Sequence, residues 1–345
     1  MNLEFRATRP DEMAEVKGFL QRVFAAPDTS LFIDDANLRW KYYQPREDFS
    51  GSRSFVYTKA GRIMAHACAW PLRFLWGGTT VSGVHPIDWA ATSEIPAVGA
   101  LLLRQMRTLA DVSFCVGGTD VAQKVIAQSG FRPIGEMQFF SRPLRPFRQL
   151  LTHQRRNFKL PARWLRNLVW TKRYGRAVPK GWTASQIDPQ GLPREVLPAE
   201  NNEVLVPERN TDQFRYLASC PVARFALFLV KQQAVPRGYF LLSFTPGQAR
   251  VADAWIIGGS EAWKVLYRLA VAAAFENASI AEITAASCLN VGQRALEQIG
   301  FRRHRTLPIM LSDPKKRLAG TPIPHLQLID SDFAFWHPGR PDYET

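Results

Sequence analysis

The sequence predicts a mixed α/β protein built as two tandem domains, each a mixed, mainly antiparallel sheet flanked by helices. Three observations lead to this fold class: a length of 345 residues, an apolar fraction of 46%, and an internal repeat. The predicted boundaries are residues 1–145 for the first domain, 146–180 for a basic amphipathic linker, 181–312 for the second domain and 313–345 for an irregular C-terminal tail.

The repeat is clearest in residues 123–132 and 293–302, which share five identical residues in register. Each segment has the pattern of a short helix ending at a glycine, Gly130 or Gly300, followed by Phe-Arg and an extended run. Glycine can take the left-handed conformation that ends many helices. The two segments therefore predict the same helix, turn and strand near the end of each domain.

Upstream of these segments, both halves show the same order of predicted elements. Each half opens with a short strand that is broken at Pro and Asp. Antiparallel strands follow, predicted at residues 56–57, 63–70 and 72–76 in the first half and at 224–231 and 238–244 in the second. A strand, a loop and a helical face come next in each half, over residues 84–109 and 249–273.

Two further motifs carry a family resemblance. Residues 38–45 are Leu-Arg-Trp-Lys-Tyr-Tyr-Gln-Pro, and residues 214–217 are Phe-Arg-Tyr-Leu, a weakened copy of that pattern. With the two Gly-Phe endings, these motifs resemble the GCN5-related N-acetyltransferase (GNAT) superfamily, in a tandem arrangement similar to FemAB-type transferases. The Trp-Lys-Tyr motif resembles one in GNAT-like proteins encoded with bacterial polysaccharide genes. The resemblance covers about residues 1–145 and 181–312 and implies the GNAT fold.

The resemblance implies acetyl-CoA or another acyl-CoA as co-substrate, without a metal, bound where a strand, a loop and a helix N-terminus meet. Backbone amides and the positive end of the helix dipole favour a pyrophosphate at such a place. The implied cofactor-binding residues are Trp89, Ala90, Glu94, Ala97, Gly99 and Ala100 in the first half, and Gly258, Gly259 and Ser260 in the second. Both loops depart from the family pattern, because Glu94 replaces Gln or Arg, Ala97 replaces a glycine, and the second loop lacks the glycine spacing.

The resemblance also directs the search for catalytic groups. The family often places a tyrosine four residues before the Gly-Phe glycine as a general acid, but Ile126 and Leu296 occupy these positions. The candidate general bases near the predicted strands are Asp88, His85, Asp253 and Glu282. Asp88 and Asp253 hold corresponding places in the repeat, and the alternative is that both only fix the strand beside the loop. For His85, which precedes a proline, the alternative is a place in a turn.

The formal net charge of +14 is concentrated in one segment. Residues 142–180 contain twelve Arg or Lys residues and no Asp or Glu, interspersed with large apolar residues. Such a block predicts contact with something anionic, and basic and aromatic residues on opposite sides of a helix are typical of binding to an anionic membrane surface. A brace between the domains is the alternative. The lack of a recognised nucleic-acid module argues against nucleic acid.

Cysteine usage and hydropathy bound the environment of the protein. The four cysteines (Cys68, Cys115, Cys220 and Cys288) are widely spaced among apolar or small residues, which predicts buried thiols rather than a zinc site or disulfides. No apolar run approaches the ~20 residues needed to cross a bilayer, and the N-terminus lacks the pattern of a signal peptide. We therefore expect a cytoplasmic protein, or one that is peripheral on the inner face of the membrane.

Three functions are compatible with these patterns. The first is an acyl-CoA-dependent acyltransferase that modifies an amine or hydroxyl of a sugar or cell-envelope precursor, for which positioning supplies much of the rate because a thioester is already activated. The second is a catalytically degenerate tandem GNAT scaffold, favoured by the missing tyrosines and the altered loops. The third is a nucleic-acid-associated protein held by the basic segment.

Overall fold

The computed structural model of the protein describes residues 3–152, 160–175, 177–200, 204–318, 320 and 323–345. In the first part of the chain the elements are β1 (Glu4–Ala7), α1 (Met13–Phe24), α2 (Asp35–Tyr43), β2 (Ser54–Lys59), β3 (Arg62–Trp76), β4 (Thr79–Ala91), α3 (Val98–Met106), β5 (Val112–Val116), α4 (Asp120–Gln128) and β6 (Arg132–Pro143). Then follow α5 (Pro146–Thr152), α6 (Leu160–Arg173), β7 (Trp182–Ile187), β8 (Val204–Leu205), α7 (Thr211–Ala218), β9 (Arg224–Gln232), β10 (Val235–Thr245), β11 (Gln248–Ile256), α8 (Ser260–Glu276), β12 (Glu282–Ser287), α9 (Asn290–Gln298), β13 (Arg302–Ser312) and β14 (Ile323–Pro324). These elements confirm the predicted mixed α/β class.

The chain divides into two compact units. The first contains Met1–Glu136, Ala199–Glu208 and Leu307–Pro324, and the second contains Met137–Pro198, Arg209–Thr306 and His325–Thr345. The strands after the two Gly-Phe turns, β6 and β13, therefore each begin in one unit and end in the other. The domain boundaries drawn from the sequence stay a prediction, which differs from this division at both strands.

In the first unit the strand order is β1-β2-β3-β4-β5-β13. Strands β1 to β4 pair antiparallel, β5 runs parallel to β4, and the end of β13 pairs antiparallel with β5. The sequence predicted two strands where β3 is continuous. Pro71 does not interrupt β3, because the pairing with β2 already ends at Cys68 and the missing N–H of Pro71 leaves no gap on that side.

In the second unit the strand order is β6-β12-β11-β10-β9-β7. Only β11 and β12 pair parallel; the other neighbours are antiparallel. Helices α8 and α9 pack on one face of this sheet, over apolar residues such as Phe240, Leu242 and Val251. The C-terminal segment from His325 onward lies against the other face, where Arg250 on β11 donates to the backbone oxygens of Phe333 and Trp336. As predicted, this segment is largely irregular.

Both predicted helix-ending glycines are left-handed, with φ of +86° at Gly130 and +93° at Gly300. At Gly300 a side chain is excluded for a second reason, because a Cβ atom would lie 2.3 Å from Tyr174. Trp170 of α6 also donates its indole N–H to the Gly300 oxygen at 2.6 Å. The turn predicted from the sequence is therefore confirmed in both repeats.

All four cysteines are free thiols, and three are buried as predicted, whereas Cys220 is partly exposed. In the part of the chain that the structure describes, no helix is both long and apolar enough to cross a membrane. Five basic or aromatic residues of the basic segment (Arg155, Arg156, Phe158, Lys159 and Arg176) lie outside the described residues.

Candidate functional site

In both units, the strand that precedes the candidate loop diverges from its parallel neighbour. Strand β4 pairs with β5 only at Gly83 and Val84, although β4 continues to Ala91. Strand β11 pairs with β12 only over residues 248–251, although β11 continues to Ile256. Each of these strands also contains a β-bulge on its antiparallel side. The two sheets therefore open in the same way, and Asp88 and Asp253 each lie at the bulge.

Asp88 has a φ of +50°, in the left-handed region that few residues other than glycine adopt. Its carboxylate is held by two consecutive residues of α2. Lys41 Nζ lies 2.5 Å from Asp88 Oδ2, and the Tyr42 hydroxyl donates to the same oxygen at 2.7 Å. All three side chains are buried, and no hydrogen bond from a residue that the structure describes reaches Asp88 Oδ1. The central two residues of the Trp-Lys-Tyr-Tyr run thus contact the first candidate base.

A buried polar network from β3 contacts the backbone of Asp88. His66 Nδ1 lies 3.2 Å from the Asp88 backbone oxygen, and His66 Nε2 lies 3.0 Å from Ser54 Oγ. Burial lowers the pKa of His66 to about 4, so the imidazole is neutral at neutral pH. Burial, with Asp88 beside it, raises the pKa of Tyr42 well above its ordinary value, so the hydroxyl keeps its proton. Each group is therefore in the protonation state that its hydrogen bonds require.

Asp253 is held by an arginine that it shares with a second carboxylate. Arg209 donates to Asp253 at 2.9 and 3.1 Å and to Asp330 at 2.9 and 2.8 Å, and Tyr239 donates to Asp253 at 2.7 Å. All four side chains are buried. Burial acts to lower the pKa of Arg209, but the two carboxylates raise it well above its ordinary value. Arg215, in the weakened copy of the Trp-Lys-Tyr motif, does not take part; it is exposed and pairs with Asp212.

The other two candidate bases have structural partners. His85 lies inside β4, so its alternative place in a turn is wrong; its Nε2 accepts the backbone N–H of Val116 at 3.3 Å, where β4 and β5 diverge. Glu282 is buried at the start of β12 and accepts N–H groups of Gln248, Glu344 and Thr345 at 2.8, 3.0 and 2.8 Å. Burial raises the pKa of Glu282 despite these bonds. Glu282 thus holds the C-terminal segment rather than contacting Asp253.

A cation from β3 lies beside the loop before α3, and the motif did not reveal it. Glu94 is exposed and pairs with Arg62 of β3 at 3.1 Å, so its negative charge beside the helix N-terminus is partly balanced. Ala97 precedes α3 with a φ of +62°, the conformation for which glycine is usual. Sequence reasoning missed Arg62 because it lies 32 positions before Glu94 and comes close only through the strands.

The other four predicted residues flank this loop on β4 and α3 and are buried or partly buried, whereas the second loop is exposed. Trp89 donates its indole N–H to the Gly99 oxygen at 3.2 Å, and a Cβ atom on Gly99 would lie 3.1 Å from Ala91. Gly99 thus lets α3 approach β4; Ala90 is buried, and Ala100 is partly buried. In the second unit, Gly258, Gly259 and Ser260 are all exposed at the start of α8.

The helices beside the two openings are packed differently. Val121 of α4 is 72% exposed, whereas Val291, its counterpart in α9, packs against the core of the second unit. Gly292 brings α9 so close to its neighbours that a Cβ atom would lie 2.5 Å from Ser287 Oγ and 3.3 Å from the Tyr267 hydroxyl. The start of α9 is therefore packed against the second unit, whereas Val121 at the start of α4 faces solvent.

No protein-family model matches this chain, and no curated protein sequence matches it. Solved structures do resemble it. A GCN5-related N-acetyltransferase from Anabaena variabilis matches 90% of this chain and 73% of its own, with a TM-score of 0.58 and 10% identity. A tandem GNAT protein from the clavulanic acid biosynthesis pathway matches 90% of this chain and 98% of its own (TM-score 0.53, 11% identity).

N-myristoyltransferase from Saccharomyces cerevisiae, solved with bound myristoyl-CoA and inhibitors, matches 90% of this chain and 80% of its own, with a TM-score of 0.59 and 12% identity. At these identities the likeness concerns the fold. Together with the paired strand openings, it shows that this chain has the fold of the GCN5-related N-acetyltransferases.

Proposed function

We propose that this protein is an acyl-CoA-dependent acyltransferase whose catalytic carboxylate is Asp88 in the first unit. The observation that carries this proposal is the left-handed bulge at Asp88, where β4 leaves β5, with Oδ2 held by Lys41 and Tyr42. Strained backbone of this kind concentrates at functional sites. The acceptor that we propose is an amine or hydroxyl of a sugar or cell-envelope precursor, because Lys41 and Tyr42 belong to the motif that resembles polysaccharide-linked proteins.

The first unit suits an acyl-CoA better than the second. The loop before α3, exposed at Pro96 and Ala97 and with Arg62 beside it, offers a helix start and a cation to phosphate groups. The exposed Val121 on α4 offers an apolar surface to the pantetheine arm. In the second unit, Val291 at the corresponding position packs against the core, and Gly292 brings α9 close to its neighbours. We therefore assign the donor site to the first unit.

The chemistry needs little more than a base and correct positioning. A bound acyl-CoA supplies an activated thioester carbonyl. Asp88 accepts the proton of the acceptor amine or hydroxyl at Oδ1, while Lys41 and Tyr42 fix the carboxylate through Oδ2. Ile126 occupies the position of the family's tyrosine, is buried, and has no hydroxyl that could protonate the leaving thiolate. Protonation of the thiolate then falls to water.

Enlarging the exposed side chain at Val121 tests the donor site. We expect acetyl-CoA to raise the melting temperature of the wild-type protein, since a ligand that binds only the folded state stabilises it. Val121→Trp should abolish most of this shift without lowering the melting temperature of the free protein, because the side chain is exposed. The matched control is Val235→Trp, also exposed, on β10. An equal shift in both variants would place the donor elsewhere.

The chemical step has its own test. We expect Asp88→Asn to lower the rate of thiol release from acetyl-CoA in the presence of amino sugars about a hundredfold or more, as for other general bases, with the acetyl-CoA melting shift retained. Retained binding with no thiol release from the wild-type protein, over a broad acceptor panel, would instead support the catalytically degenerate scaffold. That alternative is favoured by Ile126 and Leu296, which replace the family's tyrosine in both repeats.

The basic segment leads to a second proposal, that the protein binds an anionic membrane surface through α5 and α6. The two helices expose Phe147, Leu151, Leu165 and Val169, while α6 buries Asn167 and Trp170. A helix that buries an amide and exposes Leu and Val has its apolar face outward. Clusters of exposed apolar residues mark interaction surfaces.

Cations accompany this apolar face. Arg148, Arg166, Lys172 and Arg173 are exposed on the same two helices, and the sequence of residues 142–180 contains no acid. Other cations of the segment point inward: Arg145, for example, donates to the backbone oxygens of Asn277 and Ile280 at 3.0 and 2.7 Å. The segment thus combines a brace for the second unit with a cationic, apolar surface suited to anionic lipid.

Vesicle flotation tests this surface. We expect the protein to float with phosphatidylglycerol vesicles, and recovery to fall several-fold for the double variant Leu165→Ser, Val169→Ser. Val235→Ser, on β10, is the matched control for loss of an exposed apolar side chain. Equal recovery on phosphatidylcholine would remove the electrostatic part of the proposal, and unchanged recovery of the double variant would remove the apolar part.

A further inference from the structure

The second unit contains a cleft that the proposed reaction does not use. Its volume is about 340 Å³, and its walls come from β6, β11, β12, β13 and the C-terminal segment. Volumes of this size are typical of small-molecule sites. The residues that matter to its chemistry are Arg305 and His304 on β13, the aromatic residues Phe139, Phe333 and Trp336, and the acids Asp342 and Glu344.

Arg305 is oriented by aromatic rings. Its guanidinium carbon lies 4.4 Å from the Phe139 ring centre and 5.5 Å from that of Phe333, and the two rings meet edge to face at 5.2 Å. Burial lowers the pKa of Arg305, although Glu344 and Asp332 act against this. Within the described chain the guanidinium forms no hydrogen bond or ion pair, so its N–H groups can receive a ligand. A planar guanidinium matches a carboxylate with two parallel hydrogen bonds.

Negative charge lies in the same cleft without reaching Arg305. Glu344 pairs with His304 at 3.4 Å, and burial lowers the pKa of His304, which weakens that pairing at neutral pH. The Asp342 carboxylate also lines the cleft and makes no ion pair with any residue that the structure describes. A cation and carboxylates that share one cleft but stay apart are complementary to a ligand that carries both charges.

The remaining wall is apolar. Trp336 is 47% exposed, and Phe333 and Pro338 line the cleft with it. The buried cation of the floor, Arg250, is already satisfied by backbone oxygens at 2.8 and 2.7 Å and by Gln248 at 2.8 Å. Arg250 therefore shapes the cleft, whereas Arg305 is left to bind.

We infer that this cleft binds a small zwitterion, an α-amino acid with an apolar side chain. The ligand carboxylate meets the Arg305 guanidinium, the ammonium group meets Asp342 and Glu344, and the side chain packs on Phe333 and Trp336. This site concerns the second unit alone and does not depend on the proposed acyl transfer.

Calorimetric titration tests the inference with L-leucine, L-methionine and L-phenylalanine as probes. We expect at least one of them to bind with a dissociation constant at or below about a millimolar. Isopentylamine is leucine without its carboxylate, and 4-methylpentanoate is leucine without its amine. Each should bind about tenfold more weakly than leucine or not at all, because one charged group of the cleft stays unpaired. Failure of all three amino acids to bind, or equal binding of either half-ligand, would overturn the inference.

Two exposed arginines of β13 provide a matched pair of variants. Arg305→Gln should weaken binding of the best probe about tenfold, since the carboxylate loses its charged partner. Arg303→Gln, two residues away and outside the cleft, should leave binding within about twofold of wild type. Arg303→Gln should unfold at the wild-type temperature because its side chain is exposed, and Arg305→Gln within a few degrees of it because only the contacts with two aromatic rings are lost. Equal affinity of the two variants would contradict the assignment of Arg305.

Discussion

The carboxylates of Asp88 and Asp253, which lie at the two β-bulges, are bound in different ways. In the first unit, Asp88 receives one lysine and one tyrosine from α2, both on one carboxylate oxygen. In the second unit, Asp253 is bound on both oxygens, and its arginine also binds Asp330 of the C-terminal segment. In the first centre Asp88 Oδ1 receives no hydrogen bond from a described residue, whereas in the second both oxygens are bound and the arginine holds the C-terminal segment to the sheet. The same strand feature thus serves as a candidate active site in one repeat and as a structural clamp in the other.

The largest expected effect comes from removing the cation of each centre. Arg209→Met leaves two buried carboxylates without the cation that they share and should lower the free energy of unfolding by about 3–5 kcal/mol. Lys41→Met leaves one carboxylate, which still accepts the Tyr42 hydrogen bond, and should cost less, about 2 kcal/mol. Urea denaturation measures both.

Arg215→Met is the control for this pair, because its salt bridge with Asp212 is exposed and should be worth less than about 1 kcal/mol. If Lys41→Met cost as much as Arg209→Met, the contrast between an open and a closed centre would fail.

The second prediction concerns pH. Each centre has one buried histidine: His66 contacts Asp88, and His325 lies near Asp253, and burial lowers both pKa values from 6.5 to about 4. Between pH 4 and pH 6.5 the unfolded chain binds protons that the folded chain does not. The free energy of unfolding is therefore highest above pH 6.5 and falls as the pH drops toward 4. Shifts of this size correspond to a loss of about 3 kcal/mol of unfolding free energy per histidine once the pH is below 4.

Single variants measure how much each histidine contributes to this loss of unfolding free energy. His66→Gln and His325→Gln should each reduce the decrease in unfolding free energy between pH 6.5 and pH 5, measured by urea denaturation at each pH, by the largest shares of any single histidine. If the decrease persisted in both variants, its cause would be other groups whose pKa is lowered in the folded chain, such as His304, His337 and Asp111, rather than His66 and His325.

The same two centres show which parts of the fold and of the candidate site could be predicted from the sequence. The strands, the loops and the Gly-Phe turns follow from local patterns, because strand alternation and glycine at a helix end are encoded over a few residues. Asp88 and Asp253 could be chosen as a pair because the repeat aligned them.

Their partners could not be found in this way. Arg209 and Asp330 are 121 positions apart, and Arg62 reaches Glu94 only through the folded sheet. Arg215, in the weakened copy of the Trp-Lys-Tyr motif, is exposed, and the cation that pairs with Asp253 is Arg209, six positions earlier. Contacts of this kind depend on the register of distant strands and helices, which no short motif contains.

The smallest expected effect separates the two hydroxyl groups. Tyr239→Phe should cost about 1 kcal/mol of unfolding free energy, because Asp253 Oδ2 keeps its bond from Arg209. Tyr42→Phe should cost somewhat more, since Asp88 Oδ2 then keeps only Lys41. Tyr57→Phe is the control, as its hydroxyl bonds to no residue in the part of the chain described. Urea denaturation resolves such differences when the three variants are measured together, and an equal cost for Tyr42→Phe and Tyr239→Phe would mean that both acids are satisfied to the same degree.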